Sequence, residues 1–388
     1  MTRAFLRHAP MASARRPAIV AYALVFLGGG VMLPYLPLYL AHVGLSGGEV
    51  GVLTGMQPIL RWIAAIGWAY VADRWRIRRT IIVTTAAVGG LGFIPFCFVR
   101  DFGALALVIA WVGLLHGAII PLVDATVMDH LPRLGGDYGR VRLWGSVAFV
   151  VAALASAAAV HAFGAVVVPF LVLGPVVALP PALARLPIEQ LGHEAHFQPP
   201  WRLLTPPVCA LLATVFLVNA SAGAFVAFFA LHVARLGLPD SVPGIAWGFA
   251  VSAEVVLLFA GARMLERIPA ETLIVVAAGA SAGRWAITAV ATGQTTLVAV
   301  QAGQAFTFGA LHIASLALVA RLVPPASSTS GQALYGLVGF GLGGSAGMLL
   351  GAALVDRIGT GRLFAVDAAI AGLAVLPALR LRALARAR

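Results

Sequence analysis

The chain is 388 residues long, 61% hydrophobic and only 10% charged, with a mean hydropathy of +0.97. Soluble domains carry about 25% charged residues, so a water-soluble core of this length could not hide so much apolar surface. The net charge of +12 is carried by Arg alone, placed at the edges of apolar runs, which argues against a nucleic-acid-binding face; two cysteines are too few for a disulfide framework or a thiolate metal site.

The N-terminal segment MTRAFLRHAPMASARRP is basic and contains no acid. It lacks a short apolar core followed by a cleavage site, so it reads as a cytoplasmic tail rather than a targeting peptide. Apolar runs of about 20 residues mark transmembrane helices. Twelve follow, at 18–42, 48–71, 79–99, 102–128, 140–162, 164–184, 207–234, 242–262, 271–292, 295–320, 329–354 and 361–379. Between the sixth and seventh lies RLPIEQLGHEAHFQPPWRLLTPP, the longest polar stretch. It is expected to be a cytoplasmic linker over 185–206, between bundles of six helices at 1–184 and 207–388. The expected fold is therefore an all-α membrane protein, twelve transmembrane helices in two pseudo-symmetric six-helix bundles.

Arg placement sets an orientation. With both termini cytoplasmic, the cytoplasmic segments hold 20 Arg and the external loops hold four: Arg100, Arg235, Arg357 and Arg362. This is the bias of the positive-inside rule. Arg61 and Arg284 remain inside spans. Gly339, Gly343, Gly347 and Gly351 recur every four residues, a small-residue stripe that lets helices pack closely in lipid. A helix that slides or bends in a transport cycle is the sharper reading of that stripe. Pro34, Pro37, Pro58, Pro121 and Pro169 are expected to kink their helices.

Ionisable groups inside spans are candidates for function, because a charge at that depth is costly and must face a cavity or a partner. The first half offers Arg61, His116 and Asp124. The second offers Glu254, Arg284 and His312, with Asn219, Gln301 and Gln304 as neutral companions. Glu254 is taken as the only central acid of the second half. Arg284 needs a carboxylate or an anionic ligand, so Glu254 is its expected partner, either as a structural pair or as one broken by a proton or substrate. In VQAGQAFTFGALHIASLAL, Gln301 and His312 lie eleven residues apart, almost three helical turns, with Gln304 on the flank. The stripe is expected to line a cavity, although a lone intramembrane His can equally be a structural hydrogen-bonding residue. Asp124 and Arg142 lie at matching depth near the ends of spans four and five and are expected to pair. Asp129 and Asp137 are expected to bridge neighbouring loop Arg residues.

These residues resemble the major facilitator superfamily, and within it the phenylpropionate-permease-like group and the related lactose-permease-like symporters. The likeness covers nearly the whole chain. AYVADRWRIRR (69–79) resembles the family's loop between helices two and three, with Asp73, Arg74 and Arg78 as its gating residues and Ala69 and Arg76 where glycines are usual. PLVDATVMDHL and DYGRVRLWGSVAFV resemble the stretch that carries an acid on helix four and an Arg on helix five, here Asp124 and Arg142, a pair that contacts substrate in such symporters. WGFAVSAEVVLLF resembles the helix-eight signature with its embedded acid, Glu254. Arg284 falls at the helix-nine Arg, and QAGQAFTFGALHIAS resembles a helix-ten signature ending in His312, with Gln304 where a His is expected. NASAGAFVAF on helix seven has Ala222 and Phe225 in place of polar residues. These departures point away from a sugar and towards an apolar or amphipathic ligand.

The resemblance implies a proton-coupled symporter working by alternating access. Glu254, Asp124 and His312 are the proton-coupling candidates. Arg284, Arg142, Asp124, Gln301, Gln304 and Asn219 are the substrate-binding candidates. The expected partners are a small amphipathic or carboxylate-bearing solute, protons and the bilayer of the cytoplasmic membrane; a monomer is expected, with no nucleic acid, cofactor or metal. Proton-antiport efflux of a small amphipathic compound is the alternative. A membrane-embedded enzyme is the distant one, since no HExxH, GxSxG or paired-Asp motif occurs.

Overall fold

The computed structural model describes residues 11–129, 138–186, 200–324 and 327–386, and among them there is no strand. Helices are the expected outcome for apolar segments in lipid, because each then satisfies its own backbone polar groups. Ten spans are α1 (Arg15–His42), α2 (Gly47–Arg74), α3 (Arg78–Phe96), α4 (Phe102–Asp129), α5 (Tyr138–Phe163), α6 (Ala165–Leu183), α7 (Pro206–Arg235), α8 (Val242–Gly261), α9 (Ala270–Val290) and α10 (Gln294–Leu322). The last helical stretch, Ser330–Ala385, is too long for one crossing and is broken at Gly359, whose φ is 80°. Its two parts are α11 (330–358) and α12 (360–385), which completes the twelve. The polar turn expected between them is thus reduced to one residue, which glycine fills because left-handed backbone costs it nothing.

Local signals set several helix starts. Ser46 and Glu49 form a capping box at α2, each accepting the other's backbone N–H. Asp101 accepts from Ala104 N–H at the start of α4. Pro34, Pro37 and Pro58 lie within helices. Pro169 instead sits in the first turn of a helical segment, and Pro121 follows a break at Gly117–Ala118. There the missing N–H falls among donors that have no helical partner anyway.

Several spans are irregular. α3 is interrupted at Gly92 and α6 opens with a 3₁₀ turn at Ala165–Val167. α4 is interrupted at Gly117–Ala118 and α7 at Ser221–Ala222. α10 passes from α to a 3₁₀ turn at Val300–Gly303 and a π segment at Ala305–Ala310, and α11 contains a π segment at Leu337–Gly343. The glycine stripe of α11 packs on α7. A Cβ at Gly343 would lie 2.6 Å from the Phe216 carbonyl, one at Gly351 2.5 Å from the Phe228 ring, and one at Gly347 would overlap the Ala220 carbonyl.

The sixth and seventh spans are separated by the segment expected to be the linker, most of which lies outside the described residues, as does Asp137. Hydrogen bonds between helices before and after it gather at one face, the one carrying the turn at 43–46, the turn at 236–241 and the Gly359 break. Tyr35 Oη donates to the Asp240 carbonyl at 3.0 Å and accepts from Gly244 N–H at 3.1 Å. Asp356 Oδ2 accepts from Gly48 N–H at 2.8 Å, a carboxylate seated on the first turn of α2. Deeper in the bundle, Phe149 meets Trp247, and Trp62 of α2 lies against Gly336 and Gly341 of α11.

Candidate functional site

Arg284 sits in the middle of α9 and is 3% exposed. It is held almost entirely by α10. Its Nε and Nη2 donate to Gln301 Oε1 at 3.0 and 2.7 Å, and its Nη1 donates to Gln304 Oε1 and to Thr307 Oγ1 at 2.5 and 2.8 Å. The guanidinium lies over the rings of Trp285 and Phe225, 4.3 and 4.7 Å from their centroids. Among the described residues no carboxylate comes within ion-pair distance of it. The expected direct pair with Glu254 is therefore replaced here by neutral acceptors and two aromatic faces, which disperse the charge over several groups.

Glu254 is partly exposed in α8. The Gln304 Oε1 accepts from Arg284, and Gln304 lies near enough to act on the Glu254 carboxylate. Arg142 and Arg284 both act on the Glu254 carboxylate electrostatically. A Cβ on Gly309 would come 3.5 Å from Glu254 Cγ, an ordinary contact distance, so the π segment of α10 runs directly beside the acid. A π-bulge of this kind is a frequent feature of functional sites.

The same irregularity splits the expected stripe. A straight α-helix would align Gln301 with His312; here a 3₁₀ turn and a π segment lie between them, and their environments differ. Gln301 is fully buried against Arg284 and does not face an open gap. His312 is partly exposed, with Nδ1 3.0 Å from Tyr335 Oη and its ring stacked on Phe308. Asn219 donates to the Val215 carbonyl of its own helix at 2.8 Å, beside Gly339.

On the other half, Asp124 accepts hydrogen bonds from Tyr22 and from Tyr138, the latter at 2.9 Å. Arg142 Nε lies 3.9 Å from the same carboxylate oxygen, and both side chains keep about a third of their surface. The Arg142 guanidinium covers Phe26 at 4.2 Å. Its charge also reaches Glu254 and His312 from across the molecule. Asp73 and Arg74 end α2 and Arg78 begins α3, so the turn itself is only 75–77. Arg78 bridges Asp73 at 3.0 Å and Asp129 at 2.6 Å. Arg76 has a φ of 55°, a left-handed position at which glycine is favoured.

Sequence reasoning missed several members. Tyr22, Tyr138, Thr307 and Trp285 carry no charge to mark them inside apolar helices. Asp367 did carry a signal, an acid within the predicted twelfth span. It corrects the reading of Glu254 as the only central acid of that half. Asp367 is 2% exposed and accepts from Ala224 N–H at 2.9 Å, capping the second segment of α7 at its break. No cluster of three metal-ligating side chains occurs among the described residues. A small apolar cavity among Leu27, Val31, Ala152 and Leu171 holds none of the charged residues.

Comparison with known proteins agrees with this layout. The profile of the MFS_1 like family matches residues 19–366. The maltose permease of Geobacillus stearothermophilus is 29% identical over 361 residues, covering 92% of each chain. The probable 3-phenylpropionic acid transporter of Escherichia coli (strain K12) is 27% identical over 312 residues, 78% of this chain and 81% of that one. Among solved structures, a mutant of the nucleoside transporter NupG superposes with a TM-score of 0.83 over 95% of this chain and 99% of that one, at 16% identity.

Proposed function

Because the chain belongs to the MFS_1-like family of the major facilitator superfamily, we propose that it moves a small carboxylate-bearing or amphipathic solute across the cytoplasmic membrane by proton-coupled symport. The observation that carries this reading is the buried Arg284 bonded to Gln304 close beside Glu254, with Arg142 acting on the same acid from the first half. A carboxylate at this depth is expensive while charged, and protonation removes that cost when the cavity closes. An anionic solute near the arginines competes for their field, which links proton and solute in one coupling free energy. Asp124, held by two tyrosines and facing Arg142, is the second candidate proton site, and His312 the third.

In this reading the chain divides into bundles of 1–184 and 207–388 with a cytoplasmic linker at 185–206. Both termini are cytoplasmic, and the protein works as a monomer that transports its solute without chemical change. The hydrogen bonds at the 43–46, 236–241 and Gly359 face then close the external side. The bundles rock about the charged midplane to open each side in turn.

Proteoliposomes with an imposed inward proton gradient test the coupling. Wild-type protein accumulates solute above its external concentration. Glu254→Gln, which mimics the protonated acid, abolishes that accumulation and leaves solute exchange measurable. Gradient-driven accumulation by the Gln variant would move the coupling role to Asp124 or His312. The maltose permease relative supports a second reading, a neutral saccharide as the solute; uptake of labelled maltose without competition by organic acids would favour it.

A further inference from the structure

Arg61 stands at the middle of α2, about 20 Å from either helix end at 1.5 Å per residue. Thr54, Ala65 and Ala72 fall at helical spacing from it and share its face, and all three are buried. Ile63, Ile66 and Tyr70, on the opposite face, are exposed where lipid would lie. Arg61 therefore points into the protein and not into the bilayer. Yet it keeps an exposed surface while its stem packs on Gly117 of α4.

Arg284 and Arg142 are engaged. Arg284 spends its donors on Gln301, Gln304 and Thr307, and Arg142 has Asp124. Arg61 has no hydrogen-bonding or ion-pair partner among the described residues. Its stem crosses Gly117 at the break of α4, where a Cβ would lie 2.9 Å from Arg61 Cα. Next to that glycine is His116, close enough for the Arg61 charge to act on it. The Nε2 of His116 is buried and has no hydrogen-bond partner among the described residues. An unpartnered guanidinium at membrane mid-depth is costly unless a ligand neutralises it, and its planar fork matches a carboxylate bidentately.

We propose that Arg61 is the docking point for the carboxylate of the transported solute, with His116 beside it and the break of α4 providing the room. This rests on the reading of the solute as an organic acid and assigns its anionic end to α2 and α4 of the first half. Arg284, with four of its five N–H groups bonded to α10, then holds the shape of α9 and α10 and tunes Glu254 without gripping the substrate.

The test uses the full-length protein in nanodiscs, with binding read by calorimetry and melting temperature. The probes are benzoate, 3-phenylpropionate, octanoate and the corresponding neutral amides. Wild type is expected to bind at least one carboxylate about tenfold or more tightly than its amide. Arg61→Gln loses that preference while still binding the amide, and Arg61→Lys, which keeps the charge but not the fork, recovers part of it. Without ligand, Arg61→Gln melts at a higher temperature than wild type, because an uncompensated charge has been removed. A lower melting temperature for unliganded Arg61→Gln would show a structural role and overturn the proposal. So would a variant that keeps the full carboxylate preference, and that result would leave the organic-acid reading standing. If wild type binds no carboxylate in preference to its amide, the organic-acid reading and the assignment of Arg61 fall together.

Discussion

At the scale of single residues, the charges inside this bundle are stabilised by different means. Asp124 has two tyrosine hydroxyls, Asp367 has a backbone N–H, and Arg284 has three neutral side chains and two rings. Arg284→Met would leave the Oε1 of the fully buried Gln301 without its donor. A stability loss of about 1–3 kcal/mol is expected for the unsatisfied group, read as a lower midpoint in thermal denaturation of detergent-solubilised protein. An unchanged midpoint would show that Gln301 finds another donor. Arg76 offers the opposite case. It is exposed at a φ of 55°, and left-handed backbone costs a side-chain-bearing residue about 1–2 kcal/mol. Glycine recovers that cost but loses more entropy on folding. Arg76→Gly should therefore raise stability by a net of about 0.5–1 kcal/mol; a drop in the midpoint would mean that the Arg76 charge matters more than the strain.

At the scale of elements, the departures from regular helix carry the site. The π segment of α10 runs beside Glu254 at Gly309, and the break of α7 exposes the N–H that Asp367 caps. The α11 stripe has a different task. Gly347 lies so near the Ala220 carbonyl that no side chain fits. Because the obstacle is backbone, relief requires the helices to separate. Gly347→Val should cost about 1–3 kcal/mol as overpacking, and should lower the yield of folded protein by size-exclusion chromatography. Gly279 and Gly283 have no atom within 4 Å of an added Cβ, so Gly283→Ala serves as the tolerant control. If Gly347→Val folded as well as that control, the tight α7–α11 contact would be refuted.

At the scale of the whole molecule, the chain is a multi-span membrane protein of a transporter family, and its orientation is open to direct test. A protease site engineered at Glu194 should be cut only from the cytoplasmic side of oriented vesicles; cutting from outside would invert the topology. The sequence by itself determined the class, the number of spans and the residues worth watching. Those properties follow from composition and from the length needed to cross a bilayer, and both are sums over the chain that no packing detail alters. It also brought out the pairing of Asp124 with Arg142, because both residues are charged and lie at matching depth. The direct ion pair of Glu254 with Arg284 and the Gln301–His312 stripe were beyond its reach. The pair was expected from charge alone, whereas packing gives the Arg284 donors to neutral side chains of α10; the stripe assumed a straight α-helix where α10 is irregular. Whether Arg61 faced lipid or protein was likewise decided only by tertiary structure. The answer depends on what the neighbouring helices place opposite it, and that is set by packing between segments far apart in the chain.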